Sequence, residues 1–211
     1  MMCMILDCRL LSDPAVMSDA LDAVGPERRA YALSYVFDKD RRLSAGVGLM
    51  MRSIEREFGV RISKDADGCP HTDGGVHVSF SHSGDYAVGA VSDRPVGIDI
   101  EAIGRNSDIY PAVMTPEEHR HFISDVPDPE KDAAFCRMWT AKESYMKAMG
   151  KGLGIDPASF RSVFWPEMRV PGGFTLDEPP APEGYRISVC HDPADAGPCH
   201  PEAFVLDLRR N

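Results

Sequence analysis

The chain has 211 residues, a formal net charge of −10 at pH 7 and 43% hydrophobic residues. This length and this hydrophobic content predict one large or two small folded domains rather than a disordered chain. The acidic balance argues against a nucleic-acid-binding protein, which would carry a basic stripe. No apolar run approaches the roughly 20 residues that span a bilayer, so no membrane partner is expected.

Six cysteines are scattered along the chain, without a CxxC pair and without zinc-ligand spacing. The N-terminal segment is apolar but short, contains Asp7 and lacks a basic lead. It therefore predicts a first strand rather than a signal peptide. Together these features predict a cytoplasmic protein with free thiols.

In the first half, the patterns predict a strand at residues 3–10, a short helix at 14–26 and the start of another helix at 27–37. A long helix is predicted at residues 38–58, because apolar residues recur there at spacings of three and four. Its apolar stripe consists of Leu43, Val47, Met50, Met51, Ile54 and Phe58. Residues 62–75 are rich in Asp, Gly and Pro and predict a loop.

Alternating apolar and polar residues then predict three strands, at residues 76–81, 86–91 and 96–101. Turn-forming residues at 83–85 and 92–95 connect them, so an antiparallel meander is expected. Further on, Thr115 is a predicted N-cap, residues 132–149 a second long helix, and residues 161–165, 173–176, 186–190 and 203–208 strands. No linker is long or polar enough to separate independent domains.

The strand at 96–101 carries Asp99 and Glu101 on one face, with their Cα atoms roughly 6.5 Å apart. A solvated strand face explains this pattern equally well when it is taken alone. No lysine directly beside the two acids in sequence neutralises them, which favours a metal site.

On the second long helix, Trp139, Glu143 and Lys147 lie on one row, four residues apart. A solvated Glu–Lys pair is the simpler interpretation, although the tryptophan indicates a partly closed site. If the fold brings Glu143 to the acidic strand, three carboxylates meet. Carboxylate oxygens with lysines nearby suit Mg²⁺ and the phosphate groups that it holds.

The segment Ser81-His82-Ser83-Gly84 ends a predicted strand, where a histidine and backbone N–H groups suit a phosphate. A hairpin with an exposed histidine is the alternative. A serine nucleophile has little support because no GxSxG motif is present. The glycines at 150–154 follow a helix instead of preceding one, so they predict helix termination rather than a phosphate loop.

Taken together, these motifs resemble the 4′-phosphopantetheinyl transferases, specifically the larger single-chain type that activates peptide synthetases. Two motifs carry the resemblance: Gly97-Ile98-Asp99-Ile100-Glu101, and Trp139-x-x-Lys142-Glu143-x-x-x-Lys147-x-x-Gly150-x-Gly152-Leu153. The segment from Phe80 to Gly84, Arg28 and residues 41–44 give further support.

The resemblance implies an α+β fold with two pseudo-symmetric halves, residues 1–101 and 102–211, each a small antiparallel sheet packed with a long helix. It implies a site in the cleft between them, with Mg²⁺ on Asp99, Glu101 and Glu143. Coenzyme A is the implied co-substrate. The residues expected to bind it are Arg28, Arg41, Ser44, Ser81, His82, Lys142 and Lys147.

The implied reaction transfers 4′-phosphopantetheine from coenzyme A to a serine of an acyl or peptidyl carrier protein, with release of 3′,5′-ADP. Glu143 and Lys147 are the expected catalytic residues, and a monomer is expected. Two departures from the family are Cys69, where a lysine is frequent, and Tyr31 at a second basic position. They predict weaker coenzyme A affinity or compensation by Arg41 or Arg42.

The carrier protein is expected to dock on the second half, at Phe164 and Trp165 or at a basic patch with Arg120 and Arg137. Two other classes remain open. One is a metal-dependent phosphohydrolase that acts on coenzyme A or a nucleotide. The other is a non-catalytic module that binds a carrier protein.

Overall fold

A computed structural model describes residues 1–65, 68–104, 110–151, 154–164, 167–195 and 201–204. Its helices are α1 (Pro14–Ala23), α2 (Pro26–Leu33), α3 (Asp38–Phe58), α4 (Tyr110–Val113), α5 (Pro116–Asp125) and α6 (Lys131–Ala148). Its strands are β1 (Met2–Asp7), β2 (Ile62–Lys64), β3 (Pro70–Thr72), β4 (His77–Ser83), β5 (Tyr86–Ser92), β6 (Val96–Ala102), β7 (Val163–Phe164), β8 (Glu167–Met168), β9 (Thr175–Asp177), β10 (Tyr185–His191) and β11 (Glu202–Ala203).

The first sheet has the strand order β11-β1-β5-β4 and packs against α3. Only the β1–β11 pairing is parallel among its ladders. The predicted stripe of α3 faces this sheet, and Met50 and Ile54 are fully buried in the shared core. Phe58, at the end of the stripe, is exposed, because the helix ends there at Gly59 in a left-handed conformation.

The second sheet has the order β6-β10-β9, and α6 packs against both β6 and β10. The helix approaches β6 closely at Gly97, where an added Cβ would overlap the backbone carbonyl of Ser144. A residue without a side chain is needed for this approach. The predicted mixed α+β class, with small antiparallel sheets packed against long helices, is confirmed.

The predicted antiparallel meander is wrong in its third strand. β4 and β5 form the expected hairpin, but β6 pairs with β10, about 90 residues further along the chain. Local alternation predicts that a strand exists and does not identify its partner. The consequence is that β4 and β6 lie side by side as edge strands of two different sheets.

The predicted loop at 62–75 is also partly wrong, because β2 and β3 form a short antiparallel ladder in which Lys64 lies opposite Pro70. The division into residues 1–101 and 102–211, and the pseudo-symmetry of the halves, stay predictions. The pairing with β10 places β6 in the sheet of the second half.

The expectation of free thiols holds at Cys8, Cys69, Cys136 and Cys190, but Cys3 is disulfide-bonded. Spacing along the chain does not reveal which thiols the fold brings together. None of the helices in the described residues is long and apolar enough to cross a membrane. Most of the strand predicted at 203–208 lies outside the described residues.

Candidate active site

Alternate serines of β4 join the two sheets at the acidic strand. The hydroxyls of Ser79 and Ser83 accept hydrogen bonds from the backbone N–H groups of Ile98 and Ala102, at 3.0 and 3.1 Å. Ser81 donates to Oδ1 of Asp99 at 2.6 Å, and Ser83 donates to Oε2 of Glu101 at 2.8 Å. Because strand side chains alternate, the serines share one face and act as a ladder that orients both carboxylates.

Asp99 is almost fully buried, with 1% of its surface exposed. Its Oδ2 atom is buried and has no hydrogen-bond partner, although buried polar atoms are normally satisfied. The pKa of Asp99 is raised to about 7, chiefly by desolvation; Lys147 opposes this rise, and the neighbouring carboxylates Glu143 and Glu101 contribute to it. Asp99 lacks a partner at Oδ2 and is repelled by Glu143 and Glu101, so a bound cation would stabilise its charged form.

Helix α6 brings Glu143 and Lys147 to Asp99, with both on one face as the spacing of four predicts. The ammonium of Lys147 lies 2.6 Å from Asp99 Oδ1 and 3.3 Å from Glu143 Oε2. Desolvation lowers the pKa of Lys147, but attraction to Asp99 and Glu143 outweighs it and the pKa lies above its usual value. Lys147 is therefore a fixed positive charge beside the carboxylates at neutral pH.

Glu143 and Lys147 open onto a cavity of about 430 Å³. Ser81 and His82 of β4 and Ser44 of α3 also line it, as do Arg28, Tyr31, Lys64 and Cys69. The cavity therefore lies between Glu143 and Lys147 of α6 and residues of the first half, as expected for a site between the halves. Its volume is in the range of small-molecule sites.

Arg28 reaches the cavity from α2. Its Nη2 donates to the backbone carbonyl of Ser44 at 2.8 Å, and its guanidinium lies 4.9 Å from the centre of the Tyr31 ring. Its Nε and the hydroxyl of Ser44 are buried without a hydrogen-bond partner. Desolvation lowers the pKa of Arg28, but a guanidinium stays charged at neutral pH. Arg28 therefore contributes a positive charge to the cavity lining.

His82 lines the same cavity at the end of β4. Desolvation lowers its pKa, repulsion from Lys147 and Arg28 acts in the same direction, and Asp40 opposes them. The imidazole is therefore neutral at pH 7 and available as a hydrogen-bond donor.

Two residues expected to bind coenzyme A lie elsewhere. Lys142 is fully buried, and its ammonium bonds Glu118 at 2.7 Å and the backbone carbonyls of Pro157 and Phe160. The expectation for Lys142 is therefore corrected, because all three of its donors are used inside the second half. Arg41 donates to the carbonyl of Tyr35 and pairs with Asp38, and it is absent from the described cavity lining.

Sequence reasoning missed Lys64 and the serine ladder. Lys64 lies within the predicted loop, and no local pattern marks it as a cavity residue. The i, i+2 spacing of Ser79, Ser81 and Ser83 was a visible signal for the ladder. Of the expected docking residues, Arg120 is exposed and Arg137 pairs with Glu178, whereas the Phe164 side chain and Trp165 lie outside the description.

The donor set suits a hard divalent cation, since carboxylate oxygens are the ligands of Mg²⁺. The unsatisfied Asp99 Oδ2 supports this fit. Among the described residues, however, no three carboxylate, imidazole or thiol groups are close enough to hold a metal ion together. Lys147 lies between Asp99 and Glu143, so a metal ion would have to share Asp99 with its ammonium.

Comparison with known proteins places these motifs in a family. Residues 95–190, from β6 to β10, match the model of the 4′-phosphopantetheinyl transferase superfamily. The chain is 32% identical over 182 residues to the 4′-phosphopantetheinyl transferase gsp of Aneurinibacillus migulanus, covering 79% of this chain and 76% of gsp. It is 26% identical over 201 residues to the 4′-phosphopantetheinyl transferase Sfp of Bacillus subtilis, covering 87% of each chain.

A match over a smaller part of both chains is the human L-aminoadipate-semialdehyde dehydrogenase-phosphopantetheinyl transferase, 29% identical over 159 residues, which cover 65% of this chain and 52% of that protein. The similarity to gsp extends over most of both chains and includes the helix and the strand that form the acidic cluster. The chain therefore belongs to the 4′-phosphopantetheinyl transferase superfamily.

Proposed function

We propose that this chain transfers the 4′-phosphopantetheine group of coenzyme A to a serine of an acyl or peptidyl carrier protein and releases 3′,5′-ADP. The carrying observation is that Lys147 contacts both Asp99 and Glu143, that Lys147 and Glu143 line one cavity, and that a buried carboxylate oxygen of Asp99 is left unsatisfied. Membership of a transferase superfamily supports the reaction class. We expect a cytoplasmic monomer.

In this reaction the serine oxygen attacks the β-phosphorus of coenzyme A. The bond from that phosphorus to the oxygen bridging to the α-phosphate breaks, and 3′,5′-ADP leaves with the electron pair. Such a transfer depends on positioning and on charge neutralisation more than on covalent catalysis. The protein must therefore hold the pyrophosphate in line and stabilise its developing charge.

Lys147 supplies the fixed positive charge for this purpose. Its raised pKa keeps the ammonium protonated, and its position beside Asp99 is set by the rigid packing of α6 on β6. A preorganised cation in a desolvated site stabilises a phosphoryl transition state without reorganisation.

Asp99, Glu101 and Glu143 would hold a Mg²⁺ ion only if their carboxylates drew closer together than they are in this structure and Asp99 were shared with Lys147; such an ion would offset the charge of the pyrophosphate. Glu143 is also the proposed acceptor of the serine proton, directly or through one water. It is the carboxylate of the cluster that lines the cavity, with 20% of its side chain exposed. The serine of the carrier protein reaches the cavity from solvent, so a partly exposed base is required.

Arg28, Ser44, Ser81 and His82 are proposed to hold the coenzyme. Arg28 and His82 offer donors to phosphate oxygens, and Ser44, whose buried hydroxyl has no partner, is part of the same cavity lining. Ser81 already donates to Asp99, so its main effect is to fix that carboxylate.

Intact-mass spectrometry of carrier proteins incubated with the enzyme, coenzyme A and Mg²⁺ tests this function. We expect one phosphopantetheine group to be added to a serine, and Glu143→Gln to abolish the addition. Glu57→Gln, an exposed glutamate of α3, is the matched control. Release of 3′,5′-ADP without a carrier protein would instead indicate a phosphohydrolase, and an inactive chain that still binds carrier protein would indicate a binding module.

A further inference from the structure

The turn between β4 and β5, at Gly84 and Asp85, is held from both halves of the chain. From the first half, the backbone N–H of Cys8 donates to the carbonyl of Asp85 at 2.8 Å, and the ammonium of Lys39 pairs with its carboxylate at 2.9 Å. From β10 of the second half, the hydroxyl of Tyr185 accepts a hydrogen bond from the backbone N–H of Asp85 at 3.0 Å. Segments that are distant in sequence thus fix one short turn.

Tyr185 also limits which residue the turn can contain. Gly84 is buried in a left-handed conformation, with φ of +59°, and a Cβ added there would lie 2.1 Å from the Tyr185 hydroxyl. Glycine is therefore needed both for the backbone conformation and for the close approach of the tyrosine. The Tyr185 ring packs edge-on against Tyr86, with ring centroids 4.9 Å apart, so the hydroxyl has a defined position over the turn.

The turn directly follows a residue of the serine ladder. Ser83, immediately before Gly84, donates to Glu101 at 2.8 Å and accepts from the backbone N–H of Ala102 at 3.1 Å. Ala102 lies opposite Tyr185 in the β6–β10 ladder. The contacts therefore form a ring that starts and ends at Tyr185 and joins the two sheets beside Glu101.

The orientation of Glu101 depends on how closely the turn approaches the second sheet. β4 and β6 are edge strands of different sheets, and serine hydroxyls connect them. Ser79 is buried further along β4, whereas Ser83 lies at the end of the strand, next to the turn. A hydrogen bond weakens steeply as its distance and angle depart from the optimum. Movement of the turn away from β10 would therefore weaken the bond from Ser83 to Glu101 first.

We propose that Tyr185 is a positioning residue for Glu101. Its hydroxyl holds the β4–β5 turn at the distance from β10 at which Ser83 reaches the carboxylate. This inference rests on the proposed function, in which Glu101 is one of the carboxylates that hold the cation. Tyr185 is not among the described residues that line the cavity of about 430 Å³, so it acts on the reaction through Glu101 and not through contact with the coenzyme.

Steady-state transfer by Tyr185→Phe, with and without Ser83→Ala, tests the proposal. Tyr185→Phe should lower kcat about fivefold, the effect of one ordinary hydrogen bond, and leave KM for coenzyme A within about a factor of two. In the Ser83→Ala background the same change should alter kcat less than about twofold, because the bond that it weakens is already absent. Tyr86→Phe is the matched control, since the Tyr86 hydroxyl accepts from the exposed Arg9 rather than from the turn.

Hydrogen exchange of the Ala102 amide, followed by nuclear magnetic resonance without coenzyme or metal, provides a reading independent of catalysis. Tyr185→Phe should speed this exchange about fivefold, and Tyr86→Phe should leave it unchanged. An equal change of kcat by Tyr185→Phe in both backgrounds, including none, or unchanged exchange at Ala102, would overturn the role of Tyr185. Failure of wild type to modify any carrier protein would overturn the proposed function, while the exchange would still test Tyr185.

Discussion

Helix α6 contributes Lys142 and Lys147 to two lysine–carboxylate sites. The two sites differ in how completely their polar atoms are hydrogen-bonded. At the first, Lys142 uses all of its donors, and Glu118 accepts from Lys142, from Thr115 and from the backbone N–H of Ser162. At the second, Lys147 bridges Asp99 and Glu143, Asp99 keeps a buried oxygen without a partner, and Glu143 and Lys147 line a cavity. We call Lys142 with Glu118 the closed site, which stabilises the second half. We call Lys147 with Asp99 and Glu143 the open site, in which a carboxylate oxygen still lacks a partner.

The difference shows that burial of charge alone does not identify a functional site. Both lysines are desolvated, yet only the site that opens onto a cavity and leaves an oxygen without a partner can bind a ligand without first breaking existing bonds. Glu118 also closes a capping box with Thr115 at the start of α5, so the first site fixes that helix to α6.

The largest expected effect is on the rate at the open site. Glu143→Gln should lower the rate of transfer roughly 10³-fold, because it removes the proposed base and a proposed metal ligand. Stability should change little, since relief of the repulsion between Glu143 and Asp99 offsets the loss of the ion pair between Glu143 and Lys147. Single-turnover transfer and urea denaturation measure the two quantities. A rate near that of wild type would remove Glu143 from the mechanism.

The closed site should respond in stability instead. Lys142→Met should cost roughly 3–5 kcal/mol of the free energy of unfolding, because it leaves the buried Glu118 carboxylate without its counter-charge. The double variant Lys142→Met with Glu118→Leu should regain much of that loss. For the folded fraction, KM for coenzyme A should be unchanged, and a large rise in KM would return Lys142 to the coenzyme site.

The pH dependence of stability should have opposite signs at the two sites. The pKa of Asp99 is raised from 3.8 to about 7 in the folded state, so this residue makes the free energy of unfolding fall as pH rises through that window. Asp99→Asn should therefore stabilise the metal-free protein by an amount that grows from pH 4 to 7 and is constant above.

At the other site, hydrogen bonds from Lys142 and the backbone outweigh desolvation and lower the pKa of Glu118 below 4.5. Its stabilising effect is complete above pH 4.5 and is lost as pH falls through the lower, folded-state pKa. Glu118→Gln should therefore be destabilising at pH 7 and progressively less so in acid, with slopes of at most about 1.4 kcal/mol per pH unit. Parallel profiles for Asp99→Asn and Glu118→Gln, recorded by urea denaturation, would contradict the contrast.

The smallest expected effect concerns the serine ladder. Ser83→Ala removes the hydrogen bond that orients Glu101 and should cost about 1 kcal/mol of stability. Transfer should slow several-fold, and higher Mg²⁺ concentrations should restore part of the rate. A matched change at an exposed position of α1, Ser18→Ala, should alter neither quantity.

The acidic strand and the second long helix were predictable, because period-two and four-residue spacings place their side chains on defined faces. The approach of Glu143 to Asp99 was expected only from the family resemblance, since spacing within one element does not bring a helix to a strand. The partner of β6 and the burial of Lys142 were not predictable, since both depend on residues far along the chain. The two lysines of α6 differ in their surroundings. Lys142 is covered by Glu118 and by the segment with Pro157 and Phe160, whereas Lys147 lines the cavity.

The most direct test of the open site is a Mn²⁺ titration followed by electron paramagnetic resonance, with Mn²⁺ as a probe for Mg²⁺. Wild type and Glu57→Gln should bind one ion per chain with equal affinity, and Asp99→Asn and Glu143→Gln should each bind it at least tenfold more weakly. Affinity that is unchanged in both site variants would show that these carboxylates do not hold the cation.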